Sequence, residues 1–185
     1  MRTLFVKKEI EYTGEQLSSH WAYKTFNLKG DSIVSFVGPC DVNPEFMIDL
    51  EDLKKGAKIY SPKMLHFIVE HFDTDIEKAI LRQHLLTAIV CEEVERLSGE
   101  KILRTGSDLY HGKRKLSVSV ATVSPVSSLI HFGINVSTEG VPVAASGLSR
   151  LRVSPARLAK SVLTAYSAEI EKVADARVRT RARGF

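Results

Sequence analysis

Between Lys115 and Val136 apolar and polar residues alternate singly along two runs. A period of two residues is the geometry of a β-strand with one buried face. Leu116, Val118 and Val120 fall on one side of the first run, and Lys115, Ser117 and Ser119 on the other. In the second run Ile130, Phe132, Ile134 and Val136 are apolar, while His131, Gly133 and Asn135 share the opposite face. The link Ser124-Pro125-Val126-Ser127 has turn chemistry. A hairpin centred near Pro125 sets Lys115 opposite Asn135, Ser117 opposite Gly133 and Ser119 opposite His131; a slip of one residue would exchange the faces. The expected polar face thus carries a lysine, small hydroxyls, an asparagine, and a glycine at which a ligand or another backbone can approach closely. A solvated sheet surface is the competing reading. Small hydroxyls and glycine around a single lysine make a concavity, which a solvated face seldom does.

The remainder of the chain sorts into both kinds of element. Residues 3–6, 33–37, 46–50, 101–104 and 108–111 read as further strands, with 33–37 ended by Gly38-Pro39 and paired to 46–50 across Asn43-Pro44. Residues 51–58 are charged, contain Gly56 and read as loop. A short helix is expected over 15–20. Ser61-Pro62 looks like a cap followed by proline at the first helical position, opening a helix with Met64, Leu65, Ile68 and Phe72. Thr74-Asp75-Ile76-Glu77 has the pattern of a capping box and starts a second helix running to about Leu97. Ser154-Pro155 opens a last one, with Leu158, Val162, Tyr166, Ile170 and Val173 on one stripe. This order predicts an α+β fold, a mixed and largely antiparallel sheet packed by helices.

Length and composition agree with one soluble domain: 185 residues, 44% hydrophobic and 26% charged. No apolar run reaches the length of about 18 residues that a membrane span needs, and the N-terminus turns charged at Lys7-Lys8, too early for a secretory signal. The two cysteines, Cys40 and Cys91, lack CxxC spacing, which suits a cytoplasmic protein with reduced thiols. The net charge of +4 belongs to the C-terminus: without Arg177, Arg179, Arg181 and Arg183, the 26 basic residues fall to 22, matching the 22 acidic ones. We therefore divide the chain into a domain over 1–176 and an Arg-rich tail over 177–185. Such a tail can meet nucleic acid through phosphates, although a solvated terminus is the simpler expectation.

The stretch Gly106-Ser107-Asp108-Leu109-Tyr110-His111-Gly112-Lys113-Arg114-Lys115-Leu116-Ser117, followed by Phe132-Gly133-Ile134-Asn135-Val136, resembles the core of the biotin and lipoate protein ligases. Those proteins carry an N-D-[LI] strand, a turn, a K-[LI] strand and a G-I-N strand in this order and spacing. The whole chain also resembles a family of archaeal and bacterial proteins classed as a domain of unknown function, in segments such as Ser19-His20-Trp21, Gly38-Pro39-Cys40 and Met64-Leu65-His66-Phe67-Ile68. The ligase resemblance implies a biotin/lipoate ligase-like core. It gives Lys115 the role of the lysine that contacts the carboxylate and phosphate of an acyl-adenylate, a charge suited to the α-phosphate during attack by an acid. It places Asp108 near a nucleotide and matches Asn135 to the asparagine of G-I-N; Ser107, Ser117 and Gly133 complete the implied ligand-binding set. ATP with Mg²⁺ is the implied cofactor, a small carboxylic acid or its adenylate the implied ligand, and an acceptor protein the implied partner. The sequence departs from the pattern in several places. Nothing before Ser61 reads as the G-R-G-R or R-R-x-G-G-G phosphate loop, Ser107 replaces the asparagine, and Val118 stands where a small residue is usual.

Other candidates carry less. His66 and His71 on a helix would point about 140° apart, so no metal site is expected from them and Glu70. Cys40 after Gly38-Pro39 could be the nucleophile of a thiol acyltransferase, or a small buried residue. Trp21 beside His20 could line a pocket or belong to the core. Asp49, Glu51 and Asp52 could hold Mg²⁺ or form a solvated loop. The expected function is binding or activation of a small carboxylic acid for transfer. A non-catalytic module binding nucleic acid or protein, and an acyltransferase using Cys40, are the alternatives.

Overall fold

The computed structural model describes residues 1–181 and Arg183. Its elements in chain order are β1 (Arg2–Val6), α1 (Trp21–Phe26), β2 (Ser32–Asp41), α2 (Leu50–Lys54), β3 (Tyr60–His71), α3 (Ile76–Ser98), β4 (Leu103–Thr105), β5 (Asp108–His111), β6 (Arg114–Lys115), β7 (Ser117–Val123), β8 (Ser128–Asn135) and α4 (Pro155–Arg179). Five strands form the main sheet in the order β1-β2-β3-β8-β7, and β4-β5-β6 form a small second one. Only the β1–β2 pair is parallel, as a mixed and largely antiparallel sheet requires. No described helix is long and apolar enough to cross a membrane.

Helices α3 and α4 cover one face of the sheet. Leu86, Val90, Leu158, Val162 and Tyr166 meet Ile33, Leu65, Phe67, Ile130, Phe132 and Ile134 there. Asp75 caps α3 by accepting from the Lys78 amide at 3.0 Å, in place of the threonine one residue earlier. On the other face Val34, Phe36, Met64 and Ile68 lie under Tyr12 and Ala22 from the N-terminal segment.

The expected helix at Ser61 is instead β3, the central strand. Met64 to His71 are buried throughout, because the strand is covered on both faces. A strand buried on both faces shows no alternation, and its apolar run also satisfies helical spacing. Pro62 is tolerated because the register shifts there. Gly38 pairs with Met64 and Cys40 with Ser61, so Pro62 and Lys63 stand against Pro39 alone. For the same reason Gly38-Pro39 does not end β2, which continues to Asp41. The expected strand 46–50 is a 3₁₀ turn at Pro44–Phe46 followed by α2. Asp49 accepts the amides of Glu51 and Asp52 and so starts a helix inside the supposed loop. The short N-terminal helix lies at Trp21–Phe26, just after the predicted 15–20.

The hairpin of β7 and β8 forms, one residue out of the expected register. Val123 pairs with Ser128, Val120 with His131, Val118 with Gly133 and Ser117 with Ile134. The four-residue turn sets this: the Ser124 amide donates to the Ser127 carbonyl at 2.7 Å, and the Ser124 hydroxyl accepts the Val126 and Ser127 amides. Ser117 and Ser119 therefore share a face with Ile134 and Phe132, toward the helices, and Val118 and Val120 share the face of Gly133 and His131. Both hydroxyls are satisfied, Ser117 buried and Ser119 half-buried. Ser117 accepts the Leu109 amide at 2.9 Å, and Ser119 accepts from the Gln83 side chain at 2.8 Å while donating to the Ser107 carbonyl. Leu116, between β6 and β7, is fully buried.

Helix α4 runs through Arg177 and Arg179, into the region assigned to the tail, while Ala182, Gly184 and Phe185 lie outside the described residues. Val178 is 80% exposed. A chain ending at Asp175 should therefore melt at the temperature of the full chain; a loss of cooperative unfolding would show that the tail is packed.

Gly38 is the tightest point of the N-terminal wrap. A Cβ there would lie 1.8 Å from the Ile10 carbonyl oxygen, where the Ile10 amide bonds to Val37. Gly38→Ala should cost about 1–3 kcal/mol or more in urea denaturation. An unchanged midpoint would mean that residues 10–12 can lift away freely.

Candidate functional site

Two adjoining cavities open beside the small sheet, of about 280 Å³ and 170 Å³. They share Asp52, Ile59, Lys115 and Val118. The backbone of Lys115 is held on two sides: it pairs with Tyr110 of β5 and, through a parallel bridge, with Ala145. Its ammonium lies 3.0 Å from an Asp108 carboxylate oxygen, both side chains about one-third exposed at 33% and 30%. An ammonium has three donors, so Lys115 can serve Asp108 and a ligand oxygen together.

The structure brings most of the predicted residues to these cavities. Ser107 and Asp108 line the larger one, while Ser117, Asn135 and Cys40 line the smaller. Gly133 lines neither. The space a Cβ would need there is taken by the Met64 methyl at 2.8 Å and the His131 ring at 3.3 Å. The glycine makes room for protein side chains, correcting the expectation of ligand approach. Cys40 is fully buried, and burial with the Asp41 carboxylate pushes its thiol up to about 12. A thiol held protonated in this way is a poor nucleophile. Trp21 packs against Phe26 and Phe36 as part of the core.

His66 lies on a strand, and the reason for its pairing differs from the helical argument. Its Nε2 is 3.2 Å from the Gly38 carbonyl, and its Nδ1 is 3.1 Å from Nε2 of His131. A carbonyl only accepts, so His66 Nε2 carries the proton. Burial holds His66 neutral, its pKa lowered to about 4, and burial together with the His66 neighbour holds His131 well below the ordinary range. His66 Nδ1 is therefore an acceptor, His131 Nε2–H donates to it, and His131 Nδ1 is left with a free lone pair. Tyr12 stacks on His131 with ring centroids 3.7 Å apart, and both line the larger cavity. Glu70 and His71 belong elsewhere. Glu70 accepts the His20 amide and the Ser127 hydroxyl, both at 2.8 Å. His71 bridges Asp31 and the Tyr166 hydroxyl, each at 3.0 Å, and this contact pulls the Asp31 carboxyl down to about 2. Among the described residues no group of three or more His, Cys, Asp and Glu side chains comes together as a metal cage.

Sequence reasoning missed Tyr12 and the His66–His131 pair, and singled out Asp49 and Asp52 only as Mg²⁺ ligands or loop residues, without the cavity wall they share with Val42, Phe46 and Ile59. The alternation of His131 with Gly133 and Asn135 was the available signal for one of them.

A model of the domain of unknown function DUF366 matches residues 1–181. The chain belongs to that family. It is 39% identical over 180 residues to the uncharacterized protein MJ0805 of Methanocaldococcus jannaschii, covering 94% of this chain and 81% of that one. It is similar to the solved structure of a protein of unknown function from Pyrococcus horikoshi, with 42% identity, a TM-score of 0.96, and 99% of each chain covered. At greater distance its fold is that of the biotin and lipoate protein ligases. A biotin protein ligase variant from Aquifex aeolicus in complex with biotin aligns with a TM-score of 0.62 at 18% identity, covering 93% of this chain and 71% of that one. A T. acidophilum protein assigned as a lipoate protein ligase, solved with bound lipoic acid, aligns at 0.61 and 15%, covering 92% and 86%.

The histidine pair has a stability consequence. His66 binds a proton near 6.5 when unfolded and near 4 when folded. Its contribution is complete above pH 6.5 and lost as pH falls through about 4. Urea denaturation should show stability dropping as pH is lowered from 6.5 to 5, above the range where carboxylates titrate, by about 1.4 kcal/mol per pH unit for each histidine. A flat profile there would mean that the pair is charged or solvated in the folded state.

Proposed function

We propose that this DUF366 protein binds a small carboxylic acid, or its acyl-adenylate, in the paired cavities, with Lys115 meeting the carboxylate or the single phosphate. The observation that carries the reading is the position of Lys115 at the junction of both cavities, next to Asp108, in a fold shared with proteins solved holding biotin and lipoic acid. A fixed ammonium in a partly dehydrated cavity stabilises a carboxylate more than water does. The cavities are large enough for a short acyl chain, and Val118, Ile59 and Met64 give it apolar walls. If the acid is activated, Lys115 is the residue to stabilise charge on the α-phosphate and later on the leaving group, and an acceptor protein would take the acyl group.

ATP with Mg²⁺ is the cofactor the ligase resemblance suggests, and the residues present do not fit its triphosphate. Among the described residues Lys115 is the one cationic residue of the larger cavity, which also holds Asp49, Asp52 and Asp108, and Lys58 is the only further one of the smaller; nothing before Ser61 reads as a Gly/Arg-rich phosphate loop. One lysine suffices for one carboxylate or one phosphodiester. The reading therefore rests on the acid or a preformed adenylate, with no step assigned to ATP.

The test is a thermal-shift screen with hexanoate, octanoate, lipoate, biotin and their adenylates. A ligand at about 100 times its Kd adds roughly 2.7 kcal/mol. Lys115→Ala should abolish that shift while leaving the unliganded melt in place, because a one-third-exposed ion pair contributes about 0–1 kcal/mol. Lys113→Ala, in the exposed turn between β5 and β6, should keep the shift. Equal loss from both variants would point to a diffuse basic surface and a binding module.

A further inference from the structure

The acceptors around the cavities outnumber what Lys115 needs. Asp52 lines both cavities, is half-buried, and its carboxylate makes no ion pair or side-chain hydrogen bond among the described residues. Asp49 is spent capping α2, and Asp108 is paired with Lys115. His131, only 3% exposed, lines the same cavity, and its Nδ1 has no hydrogen-bond partner among the described residues. The hydrogen-bond chain from the Gly38 carbonyl through His66 leaves that Nδ1 as an acceptor. Both uncommitted acceptors thus line the larger cavity, where Lys115 is the one cationic residue among the described residues; Lys58 of the smaller cavity lies over the Tyr60 ring. In a half-buried site an acceptor gains from a charge-assisted donor, and a plain fatty acid has no donor to offer these two.

We propose that the ligand of this site is an amino-bearing carboxylic acid, whose carboxylate meets Lys115 and whose ammonium or amine donates toward Asp52 and His131. The inference rests on the carboxylate reading of the same cavity and narrows it. The two charges of such a ligand match the two signs of the lining. A dicarboxylic acid would set its second carboxylate against Asp52, and an alkylamine would leave Lys115 without an added partner. Ile59 and Val118 line both cavities together with Asp52 and Lys115, and such an apolar wall suits a methylene spacer.

Calorimetric titration of the full chain with matched pairs tests this: aminobutanoate against butanoate, aminohexanoate against hexanoate, aminooctanoate against octanoate, each amino group terminal, with hexylamine as the cation alone. In the wild-type protein the best amino acid should bind about tenfold more tightly than its plain counterpart, as one charge-assisted hydrogen bond in a half-buried site gives. In Asp52→Asn the ratio of the two affinities should collapse toward one. Asp52 lies on a surface helix turn, so this variant should fold; its melting curve without ligand checks that. A plain acid that binds as tightly as its amino partner, or a ratio unmoved by Asp52→Asn, overturns the inference and leaves the carboxylate reading standing. Failure of every acid, amino-bearing or plain, overturns both. Hexylamine binding as well as aminohexanoate would show that Asp52 alone selects the ligand and that Lys115 takes no part, which also overturns the proposal.

Discussion

β3 is hydrogen-bonded along both edges, to β2 and to β8, and covered on both faces, and the rest of the molecule is placed by those contacts. Its odd-numbered residues, Leu65, Phe67 and Val69, anchor the helical side. Its even-numbered residues face the N-terminal wrap: Met64 fills the space beside Gly133, His66 links Gly38 to His131, and Glu70 gathers the His20 amide and the Ser127 hydroxyl. Each of these joins two segments far apart in sequence. The floor of the larger cavity is therefore a property of the sheet's centre. The rigidity of a packed core is what allows a histidine ring to present one lone pair in a fixed direction.

How much of this was legible in the sequence depended on what each residue faces. Helices α3 and α4 have one solvated side, and their 3.6-residue stripes were visible. β8 was visible because Ile130, Phe132 and Ile134 alternate with smaller or polar residues. β3 was not, since a strand with no exposed face carries no alternation. β7 alternates just as cleanly as β8, yet its serines point toward the helices; their hydroxyls find the Leu109 amide, the Gln83 side chain and the Ser107 carbonyl. Polarity marks an exposed face only where no internal partner exists, and pairing shifted by one residue about the same Ser124–Ser127 link was enough to reverse the assignment.

The site divided along the same line. Lys115, Asp108 and Ser107 come from the small sheet, whose local pattern and family resemblance lie within a dozen residues. Tyr12, Asp52 and His66 come from distant segments, and tertiary contacts alone bring them together: the bridge from Tyr12 to Cys40, the Asp49 cap that starts α2, and the pairing of β3 with β8. Local patterns show the part of a site that one hairpin carries, and a cavity needs walls from several elements.

The Lys115–Asp108 pair also shows why fold and activity can separate in this architecture. A one-third-exposed ion pair contributes little to folding. The backbone at Lys115 is instead held by Tyr110, Ala145 and the amide of Ser146. A phosphate-binding loop can thus be absent without disturbing the lysine's position, because nothing that positions Lys115 passes through such a loop. What changes is the charge the cavity can accept. With Asp49 and Asp52 on the wall and Asp108 already on the ammonium, the remaining ammonium donors can meet one further negative group. Each additional phosphate would enter a partly dehydrated space without a partner, at a cost of several kcal/mol per unpaired ion. Carboxylates that oppose a polyanion attract a cation, so one feature of the lining underlies both the misfit with a triphosphate and the proposed ligand bearing both charges.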